Sequence, residues 1–167
     1  MPVAAASVKE LREQTGAGML DCKSALEDAG GDFEKAKDIL REKGHSAAAK
    51  RADRATAEGT VQSYLHHDGR LGSLVEINCE SDFVARTDDF RQLVQNIALQ
   101  VAATNPSYVA PDDIPKDTDG DPKELCLLPQ PFIRDESVTI QDLVQEAIRK
   151  TGENIRVRRF ARFELGR

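Results

Sequence analysis

The stretch Thr60–Cys79, TVQSYLHHDGRLGSLVEINC, decides the architecture. Asp68-Gly69 near its centre is a strong signal for a two-residue hairpin turn, because both central positions of a type I′ turn need positive φ. On the C-terminal side Leu71, Val75 and Ile77 alternate with more polar neighbours. On the N-terminal side Val61 and Leu65 alternate less cleanly. Two antiparallel strands buried on one face need a second layer to cover that face.

The cover is legible further along. Thr87 can cap a helix over 87–104, and Asp88 and Asp89 suit the positive end of its dipole. Phe90, Leu93, Val94, Ile97, Ala98 and Val101 form one apolar stripe, and Asn105-Pro106 ends it. Residues 105–136 hold six of the seven prolines, Pro106, Pro111, Pro115, Pro122, Pro129 and Pro131, among many aspartates. They read as a long loop, partly mobile or the scar of a lost element. Thr139 to Asp142 is a box-like cap, with Ile140, Leu143, Val144, Ala147 and Ile148 following at helical spacing up to Gly152. Asn154–Leu165 reads as a last strand, with Ile155, Val157, Ala161, Phe163 and Leu165 on one face.

Upstream, residues 1–45 read as three short helices. Ser7 to Glu10 matches a capping box, with Val8 and Leu11 on one face. That helix stops at Thr15-Gly16. Met19, Cys22, Leu26 and Ala29 mark a second helix, ended by Gly30-Gly31. Asp32 can cap a third, with Phe33, Ala36, Ile39 and Leu40 as its apolar face and Gly44 as its end. Such a module alone is only marginally stable. Residues 46–58, with Lys50, Arg51 and Arg54, read as a linker helix, and Gly59 marks the change of period. The fold class is α+β: a helical module at 1–45, a linker at 46–58 and a sheet-and-helix core at 59–167.

Composition narrows the function. Hydrophobic residues make up 40% of the 167, enough for a core, and aromatics only 5%, so the core rests on Leu, Ile, Val and Ala. The net charge of -6 argues against a nucleic-acid binder that works by releasing phosphate counterions. Cys22, Cys79 and Cys126 are widely spaced and form no CxxC, which disfavours zinc or a disulfide framework and suits reduced cytosolic thiols. No apolar run reaches the ~18 residues of a membrane span, and the N-terminus lacks a signal-peptide pattern. The expected location is the cytoplasm.

Five features invite chemistry. In Asn78–Arg86, NCESDFVAR, Phe83 sits in a polar connection between strand and helix. It is either an exposed binding wedge, with large apolar area and little entropy to lose, or a hydrophobic staple tucked under the next helix. Glu80, Asp82, Asp88 and Asp89 have no nucleophile, phosphate loop or companion histidine beside them, and the last two are explained as helix N-terminal charges. Asp117–Asp121 starts like a calcium loop and then fails, with Pro122 at the glycine position and Leu128 at the glutamate position. His66 and His67 are expected on opposite faces of a strand, where they cannot share a metal. Arg156, Arg158, Arg159 and Arg162 are either an RNA-binding stripe or a solvated strand face meeting acidic neighbours.

Several strings together resemble the elongation factor Ts family: VKELREQTGAGMLDCK at 8–23, GDFEKAKDILREKG at 31–44, EGTV at 58–61, NCESDFVAR at 78–86, QPFI at 130–133 and GENIRVRRFARFELG at 152–166. The resemblance implies a ubiquitin-associated-like three-helix domain before an antiparallel core. It implies a guanine nucleotide exchange factor in protein biosynthesis that binds elongation factor Tu, both GDP-bound and nucleotide-free. Arg12, Met19 and Leu20 match the family's contact positions for the nucleotide domain. Ser81, Asp82, Phe83 and Val84 match the TDFV motif that intrudes beside the partner's magnesium site and dislocates it, with Phe83 as wedge. Neither an enzymatic reaction nor a cofactor is implied, and no nucleic acid or membrane is a direct partner. This chain has material for one core half, so a homodimer is expected. Ser81 replaces the usual Thr and Leu20 the common Met. A helical segment that family members carry is missing between Pro115 and Leu127. The competing readings are a ribosome-associated RNA binder using the arginine strand and an enzyme using Cys79 with Glu80 and Asp82.

Overall fold

The structure is a computed structural model that describes residues 3–167, so the first two residues of the helical module lie outside the described ones. The chain divides into two compact units, Met1–Lys50 and Arg51–Arg167.

The first unit has three helices: α1 (Ala5–Thr15), α2 (Met19–Asp28) and α3 (Phe33–Ala49). Val8, Leu11, Ala17, Cys22, Ala25, Leu26, Ala36 and Leu40 form its core. Gly16 (φ 66°) closes α1, and Gly30 and Gly31 (φ 63° and 89°) turn the chain out of α2, conformations in which a side chain would be strained. Asp32 caps α3 by accepting the N–H groups of Glu34 (3.0 Å) and Lys35 (3.2 Å), and the Lys35 bond foremost holds its carboxyl below the usual range.

Two expectations for this unit are corrected. Ser7 does not cap α1. The helix starts at Ala5 with Ala4 as its uncapped N-terminus, and the Ser7 N–H donates to the Ala4 carbonyl (3.0 Å). Alanine is the best helix former, so the Ala4–Ala6 run carries the helix upstream of the polar signal. Nor does Gly44 end α3, which continues to Ala49. An interior glycine costs about 1 kcal/mol relative to Ala, and the alanines at 47–49 offset it. No linker helix follows, since 50–57 is turn and coil.

The second unit holds a three-stranded antiparallel sheet in the order β1 (Glu58–Leu65), β2 (Leu71–Cys79), β5 (Ile155–Glu164). Helix α4 (Asp82–Ala85) and helix α5 (Asp88–Thr104) follow β2, and α6 (Pro122–Leu125), β3 (Pro131–Phe132), β4 (Asp135–Thr139) and α7 (Ile140–Thr151) precede β5. Ser73, Val75, Ile77 and Cys79 on the inner face of β2 are buried with Phe90, Ile97 and Val101 of α5 and Ile140 and Ile148 of α7. The Ser73 hydroxyl donates to the Ala98 carbonyl (2.6 Å), tying sheet to helix.

The hairpin exists, but its turn differs from the expected type. His66 pairs with Leu71 (2.8 Å), the Gly69 N–H donates to the His66 carbonyl (2.9 Å), and only Gly69 has positive φ. The connection is therefore four residues long, with Asp68 bonding the Arg70 N–H through its carboxylate (3.0 Å) instead of entering the left-handed region. Because His67 leaves the ladder here, its ring comes to 4.2 Å from that of His66 rather than lying on the opposite face.

The last strand carries a bulge. Glu76 pairs with Arg159 but Ile77 with Val157, so Arg158 is extra. One inserted residue exchanges the two faces beyond it. Ile155 and Val157 face the core as expected, whereas Ala161, Phe163 and Leu165 face outward and are exposed.

Residues 105–136 are not a plain loop. Tyr108 and Cys126 form a parallel bridge. The Leu127 N–H donates to Tyr108 (2.9 Å) and the Leu128 N–H to Val109 (3.0 Å), with Cys126 and Leu127 fully buried. Gln100 of α5 latches the far end, donating to the Gln130 side chain (3.1 Å) and the Pro131 carbonyl (3.0 Å) and accepting the Ile133 N–H (3.0 Å).

Candidate partner-binding site

The turn after β2 is built from two caps in succession. The Ser81 hydroxyl oxygen accepts the Val84 N–H (3.4 Å) and starts α4. The Thr87 hydroxyl accepts the Phe90 N–H (3.3 Å) and donates to the Val84 carbonyl (2.8 Å), joining the end of α4 to the start of α5. One helical turn separates inside from outside sharply. Val84 is buried at 9% exposure, while Phe83 beside it is 83% exposed. A staple would be packed against the helix that follows, so that alternative for Phe83 is removed. Asp82 pairs with Arg86 at 3.0 Å on the same exposed surface.

The base of this turn rests on a residue that sequence reasoning missed. The Glu153 carboxylate accepts the N–H groups of Glu80 (3.1 Å) and Ser81 (3.0 Å) through Oε2 and the Ser81 hydroxyl (2.5 Å) through Oε1. Glu80 answers by accepting the Asn154 N–H (2.6 Å) and facing Arg54 (3.5 Å). The only sequence signal was the place of Glu153 in the GENI string after a helix-ending glycine.

Cys79 is fully buried, and its thiol donates to the Ser81 carbonyl (3.1 Å). Burial, with the charges of Glu153 and Glu58 adding to it, pushes the thiol up to about 11. With the thiol fully buried and held protonated, the structure gives no support to the reading of Cys79 as a nucleophile. Among the described residues no group of three or more His, Cys, Asp or Glu could hold a metal. None of their helices is long and apolar enough to cross a membrane.

The arginine strand is largely paired. Arg159 and Arg158 meet Glu76 at 2.6 and 3.8 Å, and the Arg159 bond foremost lowers the Glu76 pKa. Arg162 donates to the Ala102 carbonyl (2.9 Å) and pairs with Glu164 (3.1 Å). Opposite the core, Val61, Leu65, Leu74, Phe163 and Leu165 expose an apolar sheet face. In the first unit Arg12 is exposed in the last turn of α1, and Met19 and Leu20 are exposed at the start of α2, at 46% and 83%.

A family model described as elongation factor TS matches residues 23–120. The elongation factor Ts of Carboxydothermus hydrogenoformans is 50% identical over 189 residues, which cover 95% of this chain and 87% of that protein. The chain belongs to the elongation factor Ts family. Elongation factor Ts of Caldanaerobacter subterraneus is 50% identical over 194 residues, covering 98% and 97% of the two chains. That of a Synechococcus species is 52% identical over 197 residues, covering 99% and 76%. By this membership the protein is a translation elongation factor. The matches to elongation factor Ts span up to 197 positions against 167 residues here, so those relatives carry internal residues that this chain lacks.

Proposed function

We propose that this protein is the guanine nucleotide exchange factor of elongation factor Tu, acting in the cytoplasm. The observation that carries the reading is Phe83, presented at 83% exposure on a turn held at both ends. A ring so placed is not needed by its own core, and it has apolar area to give to a partner. Ser81, Asp82, Phe83 and Val84 form the segment that disturbs the partner's magnesium site. Phe83 enters as the wedge and Asp82 alters the charge around the ion.

Mg²⁺ demands near-ideal octahedral geometry, so a shift of its ligands by about an ångström weakens its hold on GDP. The factor binds nucleotide-free partner more tightly than the GDP complex, and by reciprocity weakens GDP binding by the same ratio. GTP then displaces the factor. Arg12, Met19 and Leu20 in the helical unit supply a second grip, with apolar side chains that the unit's core does not use. The exposed face of Val61, Leu65, Leu74, Phe163 and Leu165 is proposed to pack on a second copy of the chain, giving a homodimer.

The test is release of a fluorescent GDP from elongation factor Tu in stopped flow, without factor, with this protein, and with Phe83→Ala. The native chain should speed release and the folded variant should largely fail. If the native chain leaves the rate unchanged, the exchange reading is wrong.

A further inference from the structure

We propose that Glu153 is the positioning residue of the Phe83 wedge, fixing its base through one carboxylate. This rests on the exchange reading for its consequence, though not for its geometry. Three donors converge on Glu153: the N–H groups of Glu80 and Ser81 on Oε2, and the Ser81 hydroxyl on Oε1. Hydrogen bonds to an ionised acceptor are shorter and stronger than neutral ones.

The hydroxyl bond also sets a direction. Its proton is committed to Glu153, so its lone pairs are turned toward the Val84 N–H that starts the helical turn. Asp82 and Phe83 lie between those two anchor points. The orientation of the ring is therefore downstream of an acceptor that never touches it.

Glu153 is itself held. Its own N–H donates to the Thr151 hydroxyl (3.3 Å), and Gly152 before it turns at φ 73°. The Gly152 carbonyl accepts from Arg51 (3.0 Å), and the Asn154 side chain donates to the carbonyls of Ala52 (3.3 Å) and Arg54 (2.8 Å). Glu80 closes the pair in the opposite sense by accepting the Asn154 N–H. The result is a two-way clasp between the end of β2 and the start of β5. A wedge that must displace groups in a partner gains from a stiff base, because no ordering of its own chain is left to pay for on contact.

The experiment compares native protein, Glu153→Ala, Glu153→Gln and Gln100→Ala, the last weakening the same unit away from the wedge. Two quantities are read: the GDP release rate at saturating factor, against the factor concentration giving half of it, and amide hydrogen exchange at residues 80–84. Glu153→Ala should cut the saturating rate by about tenfold or more, with little change in the half-saturating concentration. Its amides at 80–84 should exchange at least about tenfold faster while those of α5 stay protected. Glu153→Gln should keep most of the rate, since its carbonyl still accepts both N–H groups and its NH2 donates to the Ser81 oxygen, which keeps a second lone pair for the Val84 N–H. Ser81→Ala should mimic Glu153→Ala, and it replaces that variant if Glu153→Ala does not fold. The proposal is overturned if Glu153→Ala, or Ser81→Ala in its place, keeps the native saturating rate. It is also overturned if the rate lost tracks the unfolded fraction as in Gln100→Ala, or if amide exchange at 80–84 is unchanged. If the native chain fails to release GDP, the exchange reading falls alone, and the amide exchange still decides Glu153.

Discussion

Phe83 and Val84 are neighbours in the chain, yet their truncations to alanine should fail for opposite reasons. Val84 is 9% exposed, so Val84→Ala removes buried methyls and leaves a cavity. The cost is about 2 kcal/mol, or roughly 5 °C in thermal midpoint. Phe83 is 83% exposed, so only about one-sixth of its ~200 Å² helps the fold, at ~25 cal/mol per Å² less than about 1 kcal/mol. The remaining area, if buried in the partner, corresponds to about 4 kcal/mol, or nearly 1,000-fold in kcat/KM for exchange. Ordering losses bring the expected effect nearer 100-fold. Both variants should be followed by thermal unfolding and by stopped-flow GDP release, with rates scaled to the folded fraction. Phe83→Ala should unfold within about 2 °C of native and lose exchange, while Val84→Ala, whose side chain anchors the same segment from inside, unfolds earlier and loses far less exchange per folded molecule. A Phe83→Ala midpoint that falls as far as that of Val84→Ala would mean the ring packs at home, and the wedge argument would collapse.

Other outcomes follow from the same geometry. The outer sheet face exposes on the order of 600 Å² of apolar side chain, so Leu74→Lys or Phe163→Asp should turn a sedimenting dimer into a folded monomer. A native chain that is monomeric at tens of micromolar rules out the homodimer. The folded Cys79 thiol titrates at about 11 against 9.0 for an unperturbed thiol, so between those values the unfolded chain releases a proton that the folded chain keeps. Stability should fall as pH rises through that window and be unaffected by this group below it. Urea midpoints should show a shallower alkaline decline in Cys79→Ser, and equal slopes would contradict the assignment. Gln100→Leu leaves the Pro131 carbonyl and the Ile133 N–H without their partner, at a cost of about 2–3 kcal/mol. Faster amide exchange should appear first at Ile133, and an unchanged urea midpoint would refute the latch.

What was legible in the sequence was what has a period or a local cap. The stripe of α5 and the Thr139 cap of α7 came through because each is set by residues within a turn or two of one another. The Thr139 hydroxyl does accept the Asp142 N–H (3.1 Å), and the Asp142 carboxylate returns to the Thr139 N–H (2.8 Å). Signals that compete with a neighbour misled. A serine box lost to an alanine run in α1, and a lone glycine lost to alanines in α3. The bulge at Arg158 escaped because counting every second residue assumes an unbroken register. The doubled Arg158-Arg159 was the available hint. Pairing across 105–128 was hidden by prolines that do not themselves donate in it. Glu153 was hidden because its partners are backbone groups of a distant segment, which no local pattern encodes. The exposure of Phe83 was readable from its polar surroundings; what holds its turn was not.

The bridge between Tyr108 and Cys126 has a consequence for length. Backbone bonds from Ser107, Tyr108, Leu127 and Leu128 clamp the two stems together, so their ends stay side by side whatever runs between them. Closing a loop twice as long adds only about 0.6 kcal/mol. Residues 114–120 are therefore where shortening or splicing is expected to leave both caps of the Phe83 turn unchanged, since Asp121, Pro122 and Glu124 still accept bonds from the stem. An affinity handle or fluorescent reporter grafted at that position would sit on a natural joint of the molecule.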